Sequence, residues 1–366
     1  METVQNCILS SANPQLDDII REVRELIAGR SSTAEVTRPS DPATRQVVVE
    51  QLLAAMSGSD AAEQERARKI FIAHGHLDET TNKFRTANAA ADRAAAAYTL
   101  GIVGSSLATA HLVAGVFDSD PEVCRAAAEA LARIGDPAVS TGPLNFLLVA
   151  KGDQPATERP GYEPRSDGRT EEAAHSTIEP ERSVGLSLSG SESDFADVPP
   201  EILAGLDSLF PQERVVALDK LTRSGARAVF KLIVNFFADV APEVRSAAAR
   251  ALFELEPDHC AESFGRAIEE SSPNQRQNIC EALITSGLAG RAIADLASGS
   301  REAAYNSLCL LFAMARTGEI RPLIQAIEGH ESAEVRHAAV KLLTLNGQQE
   351  AAAAAAKRRL MGPELA

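Results

Sequence analysis

Apolar residues recur along most of this chain at the three- and four-residue spacing of a helical face, and one such phrase returns five times between residues 211 and 347. Four copies carry arginine at the same place, Arg214, Arg245, Arg276 and Arg336, and one carries Ser307. Successive copies therefore step by 31, 31, 31 and 29 residues, and glycine follows eleven residues later at Gly225, Gly287, Gly318 and Gly347. A fixed period of this size predicts stacked helical pairs, each able to bury its apolar stripe only against its neighbours.

The same reading divides the whole chain. Leu16, Ile19, Ile20, Val23, Leu26 and Ile27 fall on one stripe, which predicts an amphipathic helix over 15–28. Gly, Ser and two prolines in 29–44 then make a tether, so 1–44 is an N-terminal helix and its leash. A first repeat block follows over 45–150. Its clearest unit is DPEVCRAAAEALARIGD (120–136), with Asp120 as N-cap, Pro121 in the first turn and Gly135 as the stop. Upstream, Arg93 precedes Gly104 by the same eleven residues, 61–75 reads as a more degenerate unit, and partner helices are expected near 107–117 and 142–150.

Residues 151–198 are rich in Pro, Gly, Ser and acid and have no helical period, so this stretch is expected to be a disordered acidic linker. The second block, 199–366, has helix pairs expected at 211–225 with 226–239, 242–255 with 260–270, 274–286 with 288–298, and 301–316 with 319–329. It ends in 333–346 and a C-terminal capping helix at 348–360, where Lys357, Arg358 and Arg359 suit a helix C-terminus.

The phrases at 120–136, PEVRSAAARALFEL (242–255) and AEVRHAAVKLLTLNG (333–347) resemble HEAT repeats, in particular the short bacterial subtype associated with phycobilisome lyases. The resemblance covers roughly 260 of the 366 residues. It implies an all-α fold: an α-solenoid of antiparallel helix pairs curved into a right-handed superhelix, in two blocks separated by the disordered acidic insert. It also implies that Arg93, Arg125, Arg214, Arg245, Arg276 and Arg336 are structural, bonding to acids or carbonyls of the neighbouring repeat.

Composition narrows the chemistry. Hydrophobic residues are 45% of the chain but aromatics only 4%, with no tryptophan, so the core is built of Ala, Leu, Ile and Val. The net charge of −15 argues against a nucleic-acid partner. Residues 151–200 hold 11 acidic against 5 basic side chains, the acidic extreme. Five scattered cysteines without a Cys-x-x-Cys pair fit a reducing cytoplasm, and neither an export signal nor a membrane span is visible. His330-Glu331 is the only His-Glu dipeptide and cannot build the di-iron site of a deoxyhypusine hydroxylase; no metal, cofactor or catalytic set is expected.

These observations point to a non-enzymatic scaffold or adaptor that binds a partner protein on the inner surface of the solenoid. The alternative, carried by the repeat subtype, is a bilin-lyase-like or chaperone-like factor that presents a cofactor to a partner. Ser187, Ser189, Ser191 and Ser193 sit beside acids and form a candidate regulatory segment, its plain alternative being a solvated spacer between rigid blocks. Helix 15–28 is a candidate for docking on a partner or a second copy, or for capping the first block.

Overall fold

The structure, a computed structural model, describes residues 14–30, 41–137, 139, 198–224, 229–255 and 260–361. Among them are eighteen α-helices and no strand. The N-terminal half holds α1 (Pro14–Ile27), α2 (Pro42–Met56), α3 (Ala61–Ala73), α4 (His76–Thr86), α5 (Ala90–Val103), α6 (Thr109–Gly115) and α7 (Pro121–Ile134). The C-terminal half begins with α8 (Pro200–Leu206), α9 (Pro211–Arg223), α10 (Val229–Asn235), α11 (Pro242–Leu255), α12 (Cys260–Glu270) and α13 (Pro273–Thr285). It continues with α14 (Leu288–Asp295), α15 (Arg301–Arg316), α16 (Arg321–Gly329), α17 (Ala333–Leu345) and α18 (Gln349–Met361). The chain is an all-α repeat solenoid. Four expectations lie outside the described residues: the tether at 31–40, the helix at 142–150, the linker up to residue 197, and Ser187, Ser189, Ser191 and Ser193.

Local sequence sets the helix ends. Asp41, Asp60 and Asp120 cap α2, α3 and α7 through their carboxylates, and Ser272, Ser300 and Ser332 cap α13, α15 and α17 through their hydroxyls. Proline at the start of α2, α7, α9 and α13 occupies the turn where its missing N–H costs nothing. At the far end of α7, Gly135 adopts φ 64°, which only glycine reaches without strain.

First helices of successive pairs stack side by side, α5 on α7 and α9 on α11 on α13. The α5–α7 approach is close because Gly101 faces Ala130: a Cβ on Gly101 would lie 2.8 Å from the Ala130 Cβ. Helix α1 lies on α2 and α3 with Val23 and Ile27 buried, and Arg66 Nε donates to the Ile27 carbonyl at 2.5 Å. Its apolar stripe therefore covers the open end of the first block. At the other terminus α18 packs on α16 and α17 through Ala352 and Ala355, and Arg359 donates to the Glu328 carbonyl at 2.9 Å. Val198, just before α8, is buried.

Helix α15 departs from the period. Every residue from Leu308 to Ala315 is buried, together with Tyr305 and Ser307, so its second half is covered nearly all round. A helix apolar all round belongs inside a protein, and α15 has neighbours on all sides: α12 and α14 from its own block, α6 from the first. The two repeat blocks thus share one continuous core, joined where α6 lies on α15.

Candidate functional site

The arginine row can now be placed atom by atom. Arg93, Arg214, Arg245, Arg276 and Arg336 are each the fourth residue of a first helix. From that slot the guanidinium reaches back to the loop before its own helix. Arg93 donates to the carbonyls of Ala87 and Asn88, Arg214 to Ser208, Arg245 to Asp239 and Val240, Arg276 to Ser271 and Glu269, and Arg336 to His330 and Glu331. Three of them also reach forward, Arg245 to the Glu281 carboxylate of α13 at 3.3 Å. Arg93 forks onto Asp118 at 2.8 and 2.8 Å, and Arg214 forks onto Asp239 at 2.8 and 2.9 Å. Each aspartate stands 25 residues later, in the loop that opens the next repeat, and each also accepts a backbone N–H of that loop, from Asp120 or Ala241. These bonds tie consecutive repeats together.

Bidentate pairing with a carboxylate raises Arg93 above its ordinary range. Burial opposes ionisation of Asp118, but the bonds from Arg93 and the Asp120 N–H outweigh it and hold the carboxyl below its usual value. With most of its donors committed to loop carbonyls and carboxylates, the row is a set of braces between repeats.

Two positions correct the alignment made from sequence. Arg125 is the fifth residue of α7, because its phrase reads Val-Cys-Arg where α11 and α17 read Val-Arg. Its side chain is 34% exposed and pairs with Glu122 and Glu129 of its own helix rather than with a neighbouring repeat. Cys124 holds the slot, and its Sγ donates to the Asp118 carbonyl six residues back, as the arginines do. The other position is Ser307. Helix α15 starts at Arg301, so its fourth residue is Ala304 and Ser307 lies a turn further in. The slot arginine is thus also missing from α15, the first helix that packs on α6 of the other block.

That joint gathers the polar chemistry of the molecule. His111 of α6 and Tyr305 of α15 are both buried, with His111 Nδ1 3.0 Å from the phenol oxygen and the rings stacked. Cys309 Sγ donates to the Ala110 carbonyl at 3.4 Å and lies 3.9 Å from His111 Nδ1. Around them, Arg85 pairs with Glu302 at 3.3 Å, and Arg316 reaches Asp136 at 3.6 Å and Glu269 at 3.7 Å. Thr109 donates to Asp136 at 2.9 Å. Lys341 of α17 donates to the Val116 carbonyl at 2.7 Å and sits over the Phe117 ring. Sequence reasoning missed all of these, since most link residues about 200 positions apart, across the two blocks. One signal was available: the unbroken apolar run from Leu308 to Ala315, too wide for a helix buried on a single side.

A Cys–His contact raises the question of nucleophilic catalysis, and the environment answers it for this pair. Burial pushes the Cys309 thiol well up and pulls the His111 imidazole down to about 4. An activated thiolate needs the opposite, a low thiol pKa beside a protonated partner. Both groups here are held neutral. His330 is engaged in a turn, its Nδ1 accepting the Ser332 N–H. Among the described residues no three His, Cys, Asp or Glu side chains gather as a metal site.

Beside the joint lies an open cleft of about 780 Å³. One wall is α4 and the start of α6, the other is α12, and α15 forms the floor. Small side chains make the space: Ala110, Ala261, Gly265 and Ala313 leave a trough between Leu107 on one lip and Arg266 on the other. Leu107 is 47% exposed, and Arg266 stacks over Phe230. Both walls are second helices of repeat pairs, one from each block.

No protein-family model matches the chain, and neither does any curated protein. Among the solved structures that it matches, one engineered protein has 15% identity over 92% of this chain and 97% of its own, with a TM-score of 0.21. A second engineered protein has 14% identity over 95% and 90%, again at 0.21. A chain from work on tubulin recruitment by microtubule polymerases with TOG domain arrays has 11% identity over 94% and 91%, at 0.19. The assignment as a helical-repeat protein rests on the helices themselves.

Proposed function

We propose that this chain is a non-enzymatic scaffold or adaptor whose partner protein seats a segment in the cleft between the two blocks. One observation carries the reading: second helices from both blocks, which a plain array would leave open as an inner surface, wall a single trough of about 780 Å³ with an exposed leucine at its lip. Concave, largely preformed sites of this size are where binding concentrates. The partner is a protein, not a nucleic acid: a chain of net charge −15 repels phosphate backbones. Among the described residues no helix is long and apolar enough to cross a membrane. Cys124, Cys260, Cys280 and Cys309 are in no disulfide, which suits a reducing cytoplasm.

The test is site-specific photocrosslinking in the native host. A photoreactive residue at Leu107, on the lip, should trap a discrete partner. The same residue at Tyr98, 53% exposed on α5 and not part of the cleft lining, should not. Crosslinks of equal yield at both places, or at neither, sink the scaffold reading. The lyase-like or chaperone-like alternative, in the manner of phycobilisome lyases, draws on the repeat phrase and on a cleft volume within the range of cofactor-sized ligands. It requires pigment uptake on co-expression with a bilin pathway, and a colourless product removes it.

A further inference from the structure

Apolar packing alone would suffice to hold α6 on α15, yet the chain places a hydrogen-bonded imidazole in the middle of that contact. The only hydrogen-bond partner of the Tyr305 phenol among the described residues is His111 Nδ1. Burial holds that phenol far from ionisation, so it keeps its proton and donates it. The imidazole must then accept at Nδ1, which it does only while neutral. A proton on Nδ1 would face the phenol donor with another donor and leave a charge in a site that is 8% exposed.

We propose that the joint between the two blocks is a pH-sensitive latch: it holds while His111 is neutral and releases block from block, each still helical, when that ring gains a proton.

The groups facing His111 leave little to offset such a charge. On α15 they are Tyr305 and Cys309, both neutral. From α12 the Glu262 carboxylate favours a proton, and from α4 the Arg85 guanidinium opposes it; burial outweighs both and brings the imidazole down to about 4. The buried residues of α7 are Val123, Ala127, Ala128, Ala130 and Leu131, none of them charged. At the edges of the joint stand Arg301, Glu302, Asp136, Arg316, Glu269 and Lys341. Burial pushes the Glu269 carboxyl up, so its protonated form is favoured in the closed joint, a dependence opposite in sign to that of His111.

The direction for His111 follows from linkage. Its pKa is lower in the closed joint than the ordinary 6.5, so closure is fully supported above pH 6.5 and loses support as pH falls toward 4. Between pH 7 and pH 5 the closed-to-open ratio should drop about 20-fold. That window lies above the ordinary carboxylate range. The latch acts whatever the cleft binds.

Cys309 reports opening, because its thiol is 2% exposed and bonded across the joint to Ala110. Cys280, 1% exposed and bonded to Thr317 inside the second block, reports unfolding of that block. The full chain is pulsed with 4,4′-dithiodipyridine at pH 7, 6 and 5, and both sites are read by peptide mass mapping. The Cys309-to-Cys280 labelling ratio should rise about 20-fold on going to pH 5. It should stay flat in His111→Asn, whose amide oxygen accepts from Tyr305 and has no proton to gain. A flat ratio in the wild type, an equal rise in His111→Asn, or Cys280 labelling in step with Cys309 overturns the latch. Should the variant fail to fold, an NMR titration of His111 in the wild-type chain decides. A midpoint near 4 supports the latch, and one at 6.5 or above ends it.

Discussion

Replacing Asp239 by alanine should loosen the second block at the junction of α9 and α11. The carboxylate is 2% exposed, its partner Arg214 is 11% exposed, and two bonds of 2.8 and 2.9 Å join them. Asp239 also accepts the Ala241 N–H at 2.8 Å, which shapes the loop entering α11. Its removal leaves a nearly buried guanidinium without a counter-charge, a loss of about 3–5 kcal/mol. A repeat array need not unfold in one step, so the reporter must be local. Amide hydrogen exchange in α9 and α11 should accelerate by roughly 100-fold or more, since each 1.4 kcal/mol is a factor of ten. The double change Arg214→Met with Asp239→Leu should recover most of the protection, because replacing a whole buried pair by apolar groups is far milder than breaking it. Arg125→Ala is the counter-case: at 34% exposure with partners on its own helix, it should cost below about 1 kcal/mol. Acceleration below tenfold for Asp239→Ala, or an equal effect of Arg125→Ala on α7, would refute the account of the arginines as braces between repeats.

Other consequences follow from single contacts. Gly115→Ala would set a Cβ 2.3 Å from the Phe84 ring and should destabilise the first block by about 1–3 kcal/mol in urea unfolding followed by circular dichroism. Gly135→Ala meets nothing within 4 Å and should cost about 1 kcal/mol, from its positive φ alone; equal losses for the two glycines would contradict this. Phe312→Ala empties the fully buried centre of α15 and should cost about 3–5 kcal/mol, raising exchange in α6 as well as in α12 and α14; an effect confined to the second block would show that the blocks do not share a core. Asp118 is held below its ordinary pKa, so its share of stability is complete above the unfolded value near 3.8 and is lost only as pH falls through the lower folded value. In Asp118→Asn that acid-limb loss should shrink, and an unchanged acid limb would exclude the Arg93 pair as its source.

The helices were legible because their causes are local. Stripe spacing, Asp and Ser caps, N-terminal prolines and glycine stops all act within one turn, so the sequence predicts helices close to where α7, α11 and α17 stand. The arginines were legible as a row, but their slot was not fixed by counting. One inserted residue before Arg125 gave the place to Cys124, and an early start of α15 moved Ser307 a turn inward. A constant period measures chain length, whereas the slot is set by where each cap stands.

By itself, then, the sequence determined that this chain forms a stack of helical pairs braced by recurring arginines, because period, caps and amphipathic stripes are written into short stretches. Only the tertiary structure decided that α6 lies on α15, that His111 meets Tyr305 across 194 residues, and that second helices from both blocks enclose a cleft. The physical reason is distance along the chain. An apolar stripe says that a surface must be covered, but not which of many similar surfaces covers it, and that choice is made by the packing of the whole array.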